Sequence, residues 1–460
     1  MITTVIDTVS DRHYSHDYLP GNMKKKSLAR KSEKLDIGEV KKYLSEKFSY
    51  LFECSTDSFH LDSLHAAIVQ SLQSIPASFI TCADIDQILF SALRKNYAYP
   101  LNDIELFVTE NCNLRCDYCF VKTKSPKSMT ENVAFTAVDY LLNESGGNEE
   151  LNITFFGGEP LLEFDLIKRV IEYVDSRHIT TKKNVFYSLT TNGTIANHEM
   201  LSFFQGRFNL LLSIDGDQHS HDKHRTFIDG TPTFDRIMAN LELLKQYQPW
   251  LGTRMTVSSD VVNHLADNVK YLFSQGIRQF LIGQSYGVPW NEDSLAIYKN
   301  QMMDVLRFYT RLKKLNEPIR IPLFEKDSSD AHSMGNAFGC RAGRNSLTVS
   351  PSGNLYPCSM MLGLNSLATN DYCLGNVFDG ITELHLRDDF ISLHCPENGP
   401  CASCDIAGYC RGGCPAQNYH TTGSIDKPAK YTCEIARINN SLADEYAAIM
   451  KETETCNTIP

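Results

Sequence analysis

No run of about 18 apolar residues, the length of a membrane span, occurs in the 460-residue chain. The opening, Met1 to Arg12, is broken by Asp7 and Asp11 and lacks the continuous apolar stretch of a secretory signal. A cytoplasmic protein without a membrane anchor is therefore expected. Positive charge is also in short supply. Lys and Arg number 44 against 55 Asp and Glu, a net charge of −11, which argues against a broad nucleic-acid surface. The local exception is Lys24, Lys25, Lys26, Arg30, Lys31 and Lys34, which read as a solvated tail or as a dock for an acidic peptide. Cysteine is not scarce, at 15 residues. A reducing compartment excludes a disulfide scaffold on that scale, so metal or cluster ligation is the better account.

Three cysteines fall within Asn111-Cys112-Asn113-Leu114-Arg115-Cys116-Asp117-Tyr118-Cys119-Phe120, spaced C-x3-C-x2-C directly after an apolar run. Three thiolates are too few to complete a four-coordinate zinc or to hold every iron of a cubane cluster. One metal position stays open. An open iron can bind and activate a small molecule, whereas a closed site holds structure or passes electrons.

Gly157-Gly158-Glu159-Pro160, Thr191-Asn192-Gly193, Ser213-Ile214-Asp215-Gly216 and His221-Asp222-Lys223-His224-Arg225 follow in order. Together with the cysteine triad, these stretches resemble signatures of the radical S-adenosylmethionine (SAM) superfamily. The resemblance runs from about Leu101 to Cys433. It implies that Cys112, Cys116 and Cys119 hold three irons of a [4Fe-4S] cluster and that SAM chelates the fourth.

At this length two or three domains are expected. In residues 1–98, Tyr50 to Phe52 suits a short strand, and helical patterns follow from Leu61 and from Ala83. This small α+β pattern looks like the leader-binding domain of peptide-modifying radical SAM enzymes; a plain accessory domain fits it as well. From Ile104 the rhythm is strand, loop, helix. Ile104 to Val108, Ile153 to Phe156, Val185 to Leu189, Leu210 to Ile214, Arg254 to Val257 and Phe280 to Ile282 suit buried parallel strands. Helical stretches between them include Ala134 to Leu142, Leu162 to Val174, Phe234 to Tyr247 and Leu265 to Gln275. The expected fold class is α/β, a partial (β/α)6 barrel over 99–325, then a cysteine-rich domain over 326–440 and a tail or helix over 441–460.

Chemistry in such barrels sits at the carboxyl ends of the strands, and most of the quoted signatures begin there. Gly157 and Gly158 let backbone approach a ligand closely, with Glu159 as a charged acceptor for the SAM ammonium. By resemblance Ser213 bonds the ribose and Arg225 the ribose or carboxylate, with Asn192 a further contact. Alone, Gly-Gly-Glu-Pro would read as a turn and Arg225 as a surface ion pair. Tyr118 or Phe120 could pack beside the adenine, while Asn111 and Arg115 orient or screen the cluster. No residue is singled out as catalytic.

Nine cysteines fall from Cys340 to Cys433. Cys340, Gly353, Cys358, Cys401-x2-Cys404-x5-Cys410-x3-Cys414 and Cys433 resemble the seven-cysteine SPASM extension, which holds two auxiliary [4Fe-4S] clusters. By that resemblance Cys401, Cys404, Cys410 and Cys433 hold the outer cluster, and Cys340, Cys358 and Cys414 the inner one. No cysteine lies between Cys340 and Cys358 to complete the inner set. Cys373 and Cys395 are the candidates for the fourth ligand, and a position open to a substrate thiolate is the alternative. Both otherwise read as buried free thiols, as do Cys54, Cys82 and Cys456. A zinc ribbon is the structural alternative, but this region has one CxxC pair and lacks the second.

Sulfatase-maturing relatives carry an aspartate, thought to act as base, just after the cysteine that corresponds to Cys358. Here that position is Ser359, which moves the expectation toward peptide maturation. The expected activity is reductive cleavage of SAM to a 5'-deoxyadenosyl radical that takes hydrogen from a ribosomally made precursor peptide, giving a thioether or carbon–carbon cross-link. The expected electron donor is a flavodoxin or ferredoxin. A formylglycine-generating enzyme and a zinc-binding interaction protein are the alternatives.

Overall fold

The computed structural model describes residues 100–457, apart from 123, 286, 289, 326–339, 366–371, 392 and 394–400. Internal contacts divide the chain into two units, 1–99 and 100–460. The expected N-terminal α+β domain, its basic cluster, Cys54, Cys82 and Cys395 lie outside the described residues, as does the side chain of Cys456.

Six strands carry the barrel: β1 (Asp103–Thr109), β2 (Glu150–Gly157), β3 (Asn184–Thr191), β4 (Phe208–Ser213), β5 (Gly252–Val257) and β6 (Gln279–Gln284). They lie side by side in chain order, every neighbour parallel. Between them run α1 (Glu131–Glu144), α2 (Phe164–Thr181), α3 (His198–Phe204), α4 (Gln218–Asp222), α5 (Phe234–Tyr247) and α6 (Leu265–Ser274). Parallel neighbours need such crossovers, and the helices cover one face of the sheet. Ile104, Leu106, Val108, Leu151, Ile153 and Phe155 point into that layer and share a core with Val133, Ala137, Ile167 and Val170. Each such side chain contributes about 1.5–3 kcal/mol by leaving water. The other face is more polar: register aligns Glu105, Thr154, Ser188 and Asn209 across β1 to β4.

The sheet does not stop at the sixth strand. β7 (Ser346–Val349) pairs parallel with the free edge of β1, and β8 (Asn354–Tyr356), β9 (Gly375–Asn376) and β10 (Gly380–Ile381) extend it antiparallel to ten strands. The cysteine-rich region is therefore joined to the barrel by backbone hydrogen bonds, and Thr348 is brought opposite Glu105.

After β6 comes α7 (Glu292–Lys314), started by Asn291 and Ser294 in reciprocal side-chain to backbone bonds. The cysteine-rich region adds α8 (Ser359–Asn365), α9 (Leu384–Ile391), α10 (Ala407–Cys410), α11 (Pro415–Thr422) and α12 (Lys430–Asn457). The last begins well before the expected position 441, so Cys433 lies in its first turn. It packs along α7, with Tyr298 donating to Asn439 Oδ1 at 2.9 Å and Tyr309 and Tyr446 in ring contact. Among the described residues no helix is long and apolar enough to cross a membrane.

Candidate functional site

The cysteine triad forms a loop at the carboxyl end of β1. Arg115 braces it from within, Nη1 donating to the carbonyls of Cys112 and Leu114 at 2.7 and 2.8 Å. From outside, the backbone N–H groups of Arg115 and Asp117 donate to Thr226 and His224 carbonyls at 2.8 and 3.2 Å. Cys112 is buried, while Cys116 and Cys119 are half-buried. Burial pushes the Cys112 thiol up and that of Cys116 to about 11; for Cys116 the Arg225 charge opposes this, and the other two cysteines add to it. Lys124 Nζ donates to Cys119 Sγ at 3.1 Å.

Three soft donors gathered where Cys119 hinders ionisation of Cys112, and both hinder that of Cys116, make a poor thiol cluster and a fitting cation site, because bound metal reverses that cost. Among the described residues no three Cys, His or carboxylate groups converge on a single metal ion. A cubane asks for a different arrangement, since each thiolate takes its own iron.

Behind the loop lies a buried polar network that the sequence reading did not foresee. Arg225 donates through Nε and Nη2 to both oxygens of Asp215 at 2.8 and 3.0 Å, and Tyr118 donates its hydroxyl to the same carboxylate. Thr256 N adds a fourth donor at 2.8 Å. Burial would raise the Asp215 carboxyl, but the Arg225 charge and hydrogen bonds hold it below its ordinary value. Asp215 N donates to His221 Nδ1 at 3.4 Å, and His221 Nε2 meets Thr233 Oγ1 at 2.9 Å. Burial brings the His221 ring down to about 4. It is thus neutral, with Nδ1 accepting and the proton on Nε2. Two of the Arg225 nitrogens expected for SAM are spent on Asp215, and its guanidinium lies over the Tyr118 ring at 5.4 Å. The available signal was the aspartate within Ser-Ile-Asp-Gly.

Glu159 is also committed to the chain. It is 1% exposed and accepts from Leu161 N, Thr191 Oγ1 and Asn192 N at 3.0, 2.8 and 2.7 Å. These bonds tie the ends of β2 and β3 together. Burial lifts its carboxyl to about 7 despite them. Asn192 Nδ2 donates to Asn113 Oδ1 at 2.9 Å, Asn113 to Thr194 Oγ1 at 2.8 Å, and Thr194 back to Asn192 Oδ1 at 2.6 Å. That ring of side chains fastens the cysteine loop to β3. Gly158 N donates to Thr109 O and Glu159 N to Asn111 O, at 2.8 and 2.9 Å. Gly157 sits at φ +149°, and a Cβ on Gly158 would stand 2.0 Å from the Asn111 carbonyl oxygen. Both glycines let β2 approach the cysteine loop itself. Ser213 ends β4 half-buried, opposite Arg254 of β5.

The later cysteines gather in two sets. Cys340, Cys358 and Cys414 pack around Met361, Phe390 and Ala416. Burial pushes the Cys340 and Cys358 thiols up, and the charge of Cys414 pushes both further. Burial pushes the Cys410 and Cys433 thiols up, with the charge of Cys404 adding to both and that of Cys433 to Cys410, and Cys404 N donates to the carbonyl of buried Cys401 at 3.2 Å. Cys373 is turned elsewhere, toward Gly375 O at 3.4 Å and the Tyr356 hydroxyl.

Beside the inner set, Glu105 of β1 accepts hydrogen bonds from Ser359, side chain and backbone, and from Thr348 Oγ1 at 2.9 Å. Desolvation pushes its carboxyl up to about 7 against the pull of those donors. A charged residue interrupting the apolar run Ile104 to Val108 was the sequence signal for it.

A profile described as the radical SAM superfamily matches residues 106–284, and one described as SPASM, an iron-sulfur cluster-binding domain, matches 340–405. An uncharacterized protein of Methanocaldococcus jannaschii is 30% identical over 60% of this chain and 88% of its own length. The chain belongs to the radical SAM superfamily. A cysteine-type anaerobic sulfatase-maturating enzyme of Clostridium novyi is 26% identical over 66% of this chain and 85% of that protein. The solved structure of anSMEcpe with bound AdoMet and the Cp18Cys peptide matches with TM-score 0.61 and 24% identity, over 78% of this chain and 100% of that one. Streptococcus suis SuiB bound to precursor peptide SuiA matches with TM-score 0.54 and 15% identity, over 85% and 91%. At these identities both structures show the radical SAM fold alone. As a radical SAM enzyme the chain uses a [4Fe-4S] cluster with SAM, and its SPASM region brings auxiliary iron-sulfur clusters. This displaces the zinc-binding interaction protein weighed from the sequence.

Proposed function

We propose that this radical SAM/SPASM enzyme closes a cross-link in a ribosomally made peptide, with a thioether favoured over a carbon–carbon bond. Cys112, Cys116 and Cys119 would hold the SAM-binding cluster, Cys401, Cys404, Cys410 and Cys433 the outer auxiliary one, and Cys340, Cys358 and Cys414 the inner. Bound there, cluster and SAM supply a 5'-deoxyadenosyl radical able to remove hydrogen from an unactivated carbon. The chain's own part is positioning. Tyr118, Ser213 and the remaining Arg225 nitrogen would line the SAM site, while Glu159, Asn192, Gly157 and Gly158 hold the loop in place.

The observation that carries the reading is the three-thiol inner set with Cys373 turned to Gly375 and Tyr356. Among the described residues the set numbers three thiols, which would leave one position for an outside ligand. A peptide cysteine thiolate has the matching softness, and a bound thiolate is the sulfur partner that a thioether requires. Anaerobic incubation with SAM, reductant and a cysteine-containing precursor should give a product two hydrogens lighter with one free thiol fewer. An unchanged mass for every candidate precursor encoded nearby would refute the cross-link.

Glu105 favours a second reading. Although Ser359 replaces the aspartate of sulfatase-maturing relatives, a carboxylate still stands against it. Conversion of a sulfatase-derived cysteine peptide to its aldehyde would decide for formylglycine formation.

A further inference from the structure

Lys124 has no part in the reading so far. Its Nζ donates to Cys119 Sγ at 3.1 Å. The segment presenting it is clamped. Ser125 Oγ donates to Glu110 Oε2 at 2.5 Å, Glu110 N to Lys127 O at 2.9 Å and Met129 N to Val108 O at 2.8 Å. Ser128 Oγ bonds Thr109 Oγ1 at 3.0 Å and Glu163 Oε1 at 2.5 Å. Residues 125–129 are thereby pinned along the end of β1. Among the described residues no carboxylate pairs with the Lys124 ammonium, whose half-buried side chain is directed to the Cys119 sulfur.

Reduction adds negative charge to an iron-sulfur cluster. A cation donating a hydrogen bond to a ligating sulfur stabilises the reduced state and raises the potential. We propose that Lys124, acting through Cys119, raises the reduction potential of the SAM-binding cluster so that a flavodoxin- or ferredoxin-class carrier can pass it one electron. This rests on Cys119 being a cluster ligand, as proposed above. Lys124 is a positioning residue that tunes the cluster and does not touch substrate.

The test is an EPR-monitored redox titration of the anaerobically reconstituted full chain, following the signal that changes on adding SAM. Lys124→Met should move the midpoint to more negative potential, and Lys124→Arg should restore most of it. Lys122→Met, which removes an exposed charge two residues away, should leave it in place. Equal midpoints for wild type and Lys124→Met at equal iron content overturn the proposal, as does an equal shift in Lys122→Met. If Lys124→Met fails to retain iron, Lys124→Gln is judged by the same criterion. A wild type without any SAM-responsive signal removes Cys119 from ligation, and then this inference and the proposed function fall together.

Discussion

Asp215 accepts both Nε and Nη2 of Arg225, at 2.8 and 3.0 Å, in an almost wholly buried pair directly behind the cysteine loop. Removing one partner leaves a buried charge without its counterion, which costs about 3–5 kcal/mol. Asp215→Asn should therefore destabilise the anaerobic holoprotein by roughly that amount in denaturant unfolding. A loss under about 1 kcal/mol, the range of exposed pairs, would show that the pair is not what holds Tyr118 and Arg225 in place.

Gly158 touches the cysteine loop so closely that an added methyl group meets the Asn111 carbonyl oxygen at 2.0 Å and Cys112 Cβ at 3.0 Å. The backbone must move, and Cys112 with it. Gly158→Ala should lower iron content after reconstitution while leaving the auxiliary clusters bound. Full iron, with the SAM-responsive EPR signal intact, would mean that the loop tolerates displacement.

Glu159 gives the fold a signed pH dependence. Its carboxyl is raised from 4.5 to about 7 by burial, so the folded state binds this proton more tightly than the unfolded chain does. The resulting stabilisation is fully present below 4.5 and is lost as pH rises through 7. It is worth on the order of 3 kcal/mol. His221, held near 4, acts in the opposite sense, its contribution fading as pH falls from 6.5 toward 4. That contribution is common to wild type and to Glu159→Gln. Comparing the two by unfolding between pH 5.5 and 8 should show a flatter profile for the variant. Parallel profiles would contradict the shift.

Glu105 carries the discrimination between the two functional readings. If it removes a substrate proton, Glu105→Gln should lower peptide turnover by about 10²- to 10⁴-fold while SAM cleavage without peptide continues. Ser359→Asp in that background should restore part of the loss. Undiminished product from Glu105→Gln would leave Glu105 a structural acceptor for Ser359 and Thr348.

The barrel was legible because its strands are mainly apolar runs alternating with helical stretches: Ile153 and Phe155, within the expected strand Ile153 to Phe156, are core. β7 was not, since Ser346–Val349 is only four residues long and reads as a strand only once it pairs with β1. The grouping of the later cysteines came from the SPASM resemblance, since Cys340, Cys358 and Cys414 stand far apart in the chain. The polar network was out of reach. Nothing local to Arg225 says that two of its nitrogens go to Asp215, and nothing near Ser359 announces Glu105, which reaches it only through sheet register. Glu159 reads from the sequence as a charged acceptor for the SAM ammonium; nothing local to Gly-Gly-Glu-Pro tells that it is buried and accepts from three chain donors.

Release of 5'-deoxyadenosine from SAM by the reduced, anaerobic protein tests the central claim most directly. Wild type should release it, and the variant with Cys112, Cys116 and Cys119 all changed to alanine should release none while keeping its auxiliary iron. Undiminished release from that variant, or none from a wild type carrying roughly twelve irons for three clusters, would contradict the account.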